Sequence, residues 1–328
     1  MSERAFVFAP DPLLTVTVEA GSDGDEIHLH AGGQGFWVAQ MIANLGVEVT
    51  LCGPFGGESG RVVRTLVDQD GINLRPIETV GSNGVYIHDR RGGDRVSVAE
   101  APPEPLGRHE VDDFYGAALL GGLEAGVAVL AGPGPWAVPV LPADLYRRLA
   151  TDLRSNGAAV VADLCGEPLV SALEGGLTVL KMSHEELMAD GRLDKGDEHD
   201  EDEIADAMRQ LRRQGAEQVL ITRAEAPALA LIDDDAVVIR PPTLEVVDHR
   251  GAGDSMTAGL TAGLARGLDM LDALRLGAAA AAVNVTRRGL ATGDRREIER
   301  LAAHIEVRPR HHDPRHHEPR HHETRSHA

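Results

Sequence analysis

Between residues 110 and 222 short apolar runs alternate with longer amphipathic stretches, and that rhythm leaves few folds open. The runs 127–131, 158–164, 178–181 and 218–222 have the length and apolar character of buried strands. The stretches 110–124, 143–155, 167–174 and 203–214 carry apolar residues at helical spacing. Strands joined through helices need crossovers, and crossovers place helices on both faces of a parallel sheet. The predicted fold class is therefore α/β, a Rossmann-like, doubly wound and mostly parallel sheet. Aromatic residues make up only 3% of the chain, so the core of that sheet must be Ala, Val and Leu packing.

The N-terminal third keeps a different rhythm. Residues 5–8 read as a buried strand, which Asp11-Pro12 breaks. Residues 14–18 and 26–30 alternate apolar and polar, as half-exposed strands do. Residues 84–88 and 96–99 read as a hairpin around 90–93. These strands do not suit a sheet buried on both faces, and they predict a small separate β-sheet lid from about 11–33 and 82–100. Between them come a helix over 36–45, a strand over 47–52, a glycine-rich loop over 53–57, a helix over 58–69 and a strand near Leu74. Helices follow at 271–285 and 295–303. One domain over 1–305 is expected. Residues 194–203 are nearly all acidic and read as a solvated loop. Residues 306–328 form a His/Arg/Pro-rich tail predicted to be disordered, its paired histidines candidate ligands for a transition metal.

Charge and cysteine usage exclude several function classes. The net charge of −20 argues against nucleic acid and anionic membrane surfaces as partners. Cys52 and Cys165 alone make neither a disulfide framework nor a cysteine zinc site. The start, Met1-Ser-Glu-Arg-Ala, lacks the pattern of a signal peptide, and no apolar run has membrane-spanning length, so the expected compartment is the cytoplasm.

Chemistry concentrates in 246–267. A short apolar strand end is predicted at 244–247, then a turn through Gly251-Ala252-Gly253, then a helix from Asp254. Glycines let backbone N–H groups crowd together, and a helix N-terminus adds unpaired donors and positive partial charge. The combination is an anion hole suited to a phosphate in transfer. Asp254 stands where it can take a proton from an attacking hydroxyl, and the helix end is expected to lower its pKa. The bland alternative is an N-cap Asp and a plain turn. Ala258, Gly259, Ala262 and Gly263, small residues that let the helix pack closely, favour the functional reading, as does Asp248 in the longer pattern V-D-x-x-G-A-G-D.

That pattern resembles the C-terminal signature of the ribokinase-like, or PfkB, family of carbohydrate kinases. The resemblance covers about 5–305 and is closest to the branch containing 1-phosphofructokinase and tagatose-6-phosphate kinase. It implies transfer of the γ-phosphate of ATP to a sugar hydroxyl, with Mg2+, in an α/β domain with a β lid. Gly251, Ala252, Gly253 and Asp254 match the family's anion hole and base. Gly32, Gly33 and Gly35, with Gln34 among them, match the N-terminal glycine motif beside the sugar. Gly53, Gly56, Gly57 and Gly60 match a G-x-x-G-G-x-x-G loop, and Asp163 and Gly166 a D-x-x-G segment. Lys181 and Glu186 match the ends of K-P-N-x-x-E, whose Glu helps organise Mg2+ and the phosphates. Thr222, Asn284 and Gly289 stand at nucleotide-pocket positions.

The departures fall mostly on the acceptor side. The branch's Lys is Gln34, its lid Asp is Thr15, its lid Arg and Asn are Ser82 and Gly84, and a central-loop Ser is Pro133. On the nucleotide side, S-x-G-x-x-G has become 222–227 with neither glycine. Phe36 and Trp37 offer apolar surface beside the glycine motif. With the cations gone, the expected acceptor is an uncharged sugar, a nucleoside or another small molecule carrying its own ring. A lid Arg from Arg90, Arg91 or Arg95 is the counter-argument. The alternative function is a non-catalytic relative that binds a nucleotide or metabolite and acts through a partner. Lids in this fold often supply dimer contacts, so a homodimer is a further expectation.

Overall fold

The computed structural model describes residues 3–68, 71–194 and 201–310. The chain opens with β1 (Arg4–Phe8), β2 (Leu13–Ala20), β3 (Asp25–Gly32), α1 (Gln34–Asn44), β4 (Glu48–Gly56), α2 (Gly57–Asp68) and β5 (Asn73–Thr79). It continues through β6 (Val85–Asp89), β7 (Val96–Ala101), α3 (Arg108–Ala125), β8 (Val127–Ala131), α4 (Asp144–Ser155), β9 (Ala159–Asp163), α5 (Gly166–Gly175) and β10 (Leu177–Ser183). It closes with α6 (His184–Ala189), α7 (Glu201–Gln214), β11 (Ala216–Arg223), β12 (Ala226–Ile232), β13 (Asp235–Arg240), α8 (Ala252–Ala265), α9 (Met270–Val285), α10 (Arg295–Ala302) and β14 (Glu306–Pro309).

Ten strands make one sheet in the order β14-β13-β12-β11-β10-β9-β8-β1-β4-β5. Every pairing from β11 to β5 is parallel, and β12, β13 and β14 extend one edge antiparallel. Strand β1 shows why both faces need cover: Ala5 and Val7 enter one apolar layer, Phe6 and Phe8 the other. Apolar residues of α1, α2, α8 and α9 close the first layer, and those of α3, α4, α5 and α7 the second. The doubly wound α/β sheet expected from the strand–helix alternation is the fold observed. A second sheet, β3-β2-β6-β7, stands apart as the lid. Its register puts Thr15 beside His30 and Tyr86 on one face, and Val16 beside Leu29 and Ile87 on the other.

The structure departs from the sequence reading in several places. Strand β4 runs through Gly56, paired with β5 to Thr79, where a loop was expected at 53–57. Its glycines serve close approach rather than turning, for a β-carbon on Gly53 would lie 2.6 Å from the Ala9 carbonyl oxygen. Residues 244–247 are not a strand. They follow Pro241-Pro242, which lack ladder N–H groups, and are held instead where Val247 N and Asp248 N donate to Val285 O at 2.7 and 3.2 Å. The hairpin β12–β13 was not anticipated at all. Acidic Glu201, Asp202 and Glu203 form the first turn of α7, where negative charge suits the helix dipole, and are not part of a loop; residues 195–200 lie outside the described residues. The ordered chain also passes 305, because β14 pairs with β13 from Glu306 to Pro309. The histidine-rich tail from 311 onward, with its candidate metal ligands, lies outside the described residues. No helix among the described residues is long and apolar enough to cross a membrane.

Candidate active site

Helix α8 brings the site together. Its buried face carries Gly259, and a β-carbon there would sit 2.7 Å from the Gly277 Cα of α9. A β-carbon on Gly277 would lie 2.7 Å from the Met256 carbonyl oxygen. Only glycine at both positions lets the two helices close this near, and that contact fixes where the N-terminus of α8 points. Gly251 caps the helix with φ 73°, the left-handed conformation that favours glycine, and it brings no side chain to the cap. The N–H groups of Ala252, Gly253 and Asp254 therefore have no intrahelical acceptor and remain for a ligand.

A buried ion pair backs this loop. The Lys181 ammonium donates to both carboxylate oxygens of Asp163 at 3.1 Å, and the Thr257 hydroxyl donates to Asp163 Oδ2 at 2.7 Å. A β-carbon on Gly253 would stand 2.8 Å from Lys181 Nζ, so a fixed positive charge lies directly behind the 251–254 loop. Asp254 sits at the third position of α8, not at its cap. Burial, the first cause, and the nearby Asp163 charge raise its carboxyl to about 7 against the pull of Lys181. The expected lowering by the helix end is thus reversed: desolvation outweighs the dipole. Asp254 is half-buried and lines two cavities.

Those cavities meet at Asp254. One, about 880 Å³, lies under the polar face of the lid, against Thr15, Thr17, His30 and Tyr86. The other, about 860 Å³, lies beyond α8 against Lys181, Thr222, Ala224, Pro241 and Val285. Gln34, Glu186 and Asp254 are the side chains that line both. A donor in one cavity and an acceptor in the other would face each other across Asp254 and the loop.

The remaining residues singled out from sequence take distinct places. Gly33, φ 96°, starts α1 and lines the lid-side cavity with Thr15 and Gln34, whose Oε1 accepts from Gly132 N at 2.7 Å. Gly32 and Gly35 pack instead: β-carbons there would lie 2.9 Å from Leu13 Cδ1 and 2.5 Å from Ala9 Cβ. Glu186 spends Oε2 on Ser183 N, 2.7 Å, in the capping box of α6. Asn284 does not line either cavity; its Nδ2 donates to Arg250 O at 2.7 Å and steadies the loop before Gly251. Gly289 lines the lid-side cavity, not the one beyond α8. Phe36 is buried while its neighbour Trp37 reaches the lid-side cavity.

Sequence reading missed two residues here. Asp11, taken above for a strand breaker, lines the lid-side cavity, and so does Arg250. Of the lid arginines named as a counter-argument, Arg90 and Arg95 line it too. Arg250 is held by Asp248, Nη2 to Oδ2 at 2.7 Å. Arg95 makes its hydrogen bond with His88, and the charges of Arg250 and Arg90 add to burial in lowering its pKa. For Arg250, its place two residues before Ala252 was the available signal.

Comparison with known proteins identifies the family. Residues 11–296 match the pfkB family of carbohydrate kinases. A 1-phosphofructokinase of Bacillus subtilis is 28% identical over 251 residues, covering 76% of this chain and 79% of its own length. An ATP-dependent 6-phosphofructokinase isozyme 2 of Mycobacterium tuberculosis is 29% identical over 276 residues, 82% of this chain and 78% of its own. In fold, the chain is similar to the tetrameric inhibited form of phosphofructokinase-2 from Escherichia coli, with a TM-score of 0.79 at 21% identity over 92% of this chain and 98% of that one.

Proposed function

Because the chain belongs to the pfkB family of carbohydrate kinases, we propose that it moves the γ-phosphoryl group of ATP to a hydroxyl of a phosphorylated sugar. Asp254 acts as base and the 251–254 loop as anion hole. The observation that carries this reading is the meeting of two cavities at Asp254, beside unpaired helix N–H groups. ATP occupies the cavity beyond α8, along Lys181, Thr222 and Glu186, and the sugar the cavity under the lid, along Gly33, Gln34 and Thr15. The acceptor oxygen attacks the γ-phosphorus, the bond to the ADP oxygen breaks, and the hydroxyl proton passes to Asp254. The loop N–H groups and the Lys181 charge behind them answer the negative charge on the phosphoryl oxygens.

Mg2+ would screen the phosphates. No group of three or more His, Cys, Asp or Glu side chains among the described residues forms a cage for it. That suits an ion held chiefly by the nucleotide's own phosphates and water, with Glu186 acting indirectly.

The acceptor's charge is revised from the sequence expectation. Gln34 cannot answer a phosphate, but three guanidinium groups line the lid-side cavity, in a chain whose net charge is −20. Arg250 is paired with Asp248 and Arg90 lies 3.6 Å from Glu19, while Arg95 bonds to His88, and guanidinium matches phosphate geometry. The names of the relatives, 1-phosphofructokinase and 6-phosphofructokinase, point the same way. A purely non-catalytic role is not favoured, since base, loop and both cavities occur together.

A coupled assay with ATP and Mg2+ tests the proposal against fructose 1-phosphate, fructose 6-phosphate, tagatose 6-phosphate, free fructose and nucleosides. At least one phosphohexose should turn over with kcat/KM of about 10⁴ M⁻¹s⁻¹ or more. Turnover of uncharged acceptors only would restore the earlier expectation. No turnover with ATP bound would favour the non-catalytic relative.

A further inference from the structure

Asp11 lies in the segment joining β1 to β2 and is only 5% exposed. One of its oxygens is fully occupied: Oδ2 accepts from Gly134 N at 3.0 Å and from Trp136 Nε1 at 2.5 Å. The other, Oδ1, is buried with no hydrogen-bond partner. The same residue lines the cavity under the lid. A buried acceptor left unmet is costly, and a carboxylate oxygen more so. Two donors that hold one oxygen also fix the direction of the other. The arrangement is rigid, because Trp136 stacks on Tyr86 of the lid strand β6, centroids 5.2 Å apart, and Gly33 leaves no room for the segment to shift: a β-carbon there would be 2.3 Å from the Asp11 carbonyl oxygen.

Only a donor satisfies a carboxylate oxygen, and in a cavity shaped for a small polar molecule that donor is a hydroxyl. Thr15, the lid position where an acid was expected, offers only a hydroxyl of its own. We propose that Asp11 binds the acceptor, its Oδ1 taking a hydrogen bond from a sugar hydroxyl other than the one phosphorylated. The carboxylate that reads the sugar has moved from the lid strand to the segment before it. Asp11 thereby selects polyhydroxylated acceptors, while the arginines answer the phosphate. The assignment rests on the kinase reading above.

The test uses the full chain and the variants Asp11→Asn and Asp11→Ala. Asparagine can keep the bonds to Gly134 and Trp136 through its oxygen while turning an N–H₂ donor toward the cavity. Steady-state kinetics with ATP and whichever sugar of the panel turns over should show KM for the sugar raised about tenfold or more in Asp11→Asn, with KM for ATP little changed. Among singly deoxygenated analogues of that sugar, one should bind wild type and Asp11→Asn with equal affinity, identifying the hydroxyl that is read. The melting temperature of Asp11→Asn should not fall. Equal loss toward sugar and ATP, with a lower melting temperature, would mean that Asp11 only supports the loop. Unchanged KM for the sugar would remove the assignment and leave the kinase reading standing. Wild type that binds ATP but, by calorimetry, none of the panel sugars would overturn both.

Discussion

At the scale of single residues, the loop 251–254 was legible and the state of its carboxylate was not. The glycines, the small residues of α8 and Asp248 all stand in one short stretch of sequence. The charge on Asp254 depends on Asp163, which is distant in the chain and arrives through β9, and on burial that no local pattern reveals. Asp11 and Arg250 escaped for the same reason, since a cavity is made by elements remote in sequence. The raised pKa has a measurable consequence. The ionised form is the base, so kcat/KM should climb with pH and level off above about 7, where an unshifted carboxyl would do so near 3.8. Asp254→Asn should bind nucleotide and lose about two to four orders of magnitude in rate. Its stability should behave in the opposite sense. Between 3.8 and about 7 the folded protein keeps a proton that the unfolded chain has released, so this group's contribution to stability falls as pH rises through that window. The melting temperature of Asp254→Asn relative to wild type should therefore climb from pH 5 to pH 8. A constant difference would show that the carboxyl titrates in its ordinary range.

Among the elements, strands flanked by clear breakers and helices with a strong apolar face were legible within a few residues. The hairpin β12–β13 was not, because the turn that leads into it from β11 is built on Ala224 and Glu225 rather than on glycine or asparagine; Ala224 takes φ 41° with nothing in its type to announce it. The lid was legible by its alternation, and that alternation leaves one face unaccounted for. Ile27, Leu29, Val96 and Val98 are 67%, 50%, 59% and 62% exposed on the sheet that roofs the lid-side cavity. An exposed apolar face of this extent on a sheet is of the kind that a second copy covers, lid against lid. Analytical ultracentrifugation should find a dimer or larger for wild type and a lighter species for Leu29→Glu, with KM for the sugar raised because the lid loses its support. A wild type that sediments as a monomer at micromolar concentration would end this reading.

For the whole molecule, composition set useful bounds, while the end of the fold was misjudged by four residues. Val307 is the last apolar residue before the tail, yet β14 continues to Pro309, and Arg310 follows with its guanidinium against Asp202 and its Nε 3.6 Å from Glu201. Edge pairing uses the backbone, which carries no signature in side-chain type. A chain cut after Val307 should melt several degrees below one cut after Arg310, since hydrogen bonds to charged partners contribute about 1.5–3 kcal/mol. Equal melting temperatures would show that β14 adds nothing to the edge.

Among the described residues the two cavities share only Gln34, Glu186 and Asp254. On the function proposed above, everything else that would touch the donor is therefore separate from what would touch the acceptor. A lineage can rebuild the sugar half, exchanging a lid acid for one at Asp11 or a lysine for arginines, without renegotiating its hold on the nucleotide. Divergence in what is phosphorylated comes cheaply to such a protein, and divergence in the phosphate source does not: the donor half leans on the glycine contact of α8 with α9 and on the ion pair behind the loop, where one change disturbs several neighbours at once. An engineer seeking a new acceptor would do well to randomise the lid and the segment around Asp11 and leave the far side of α8 alone.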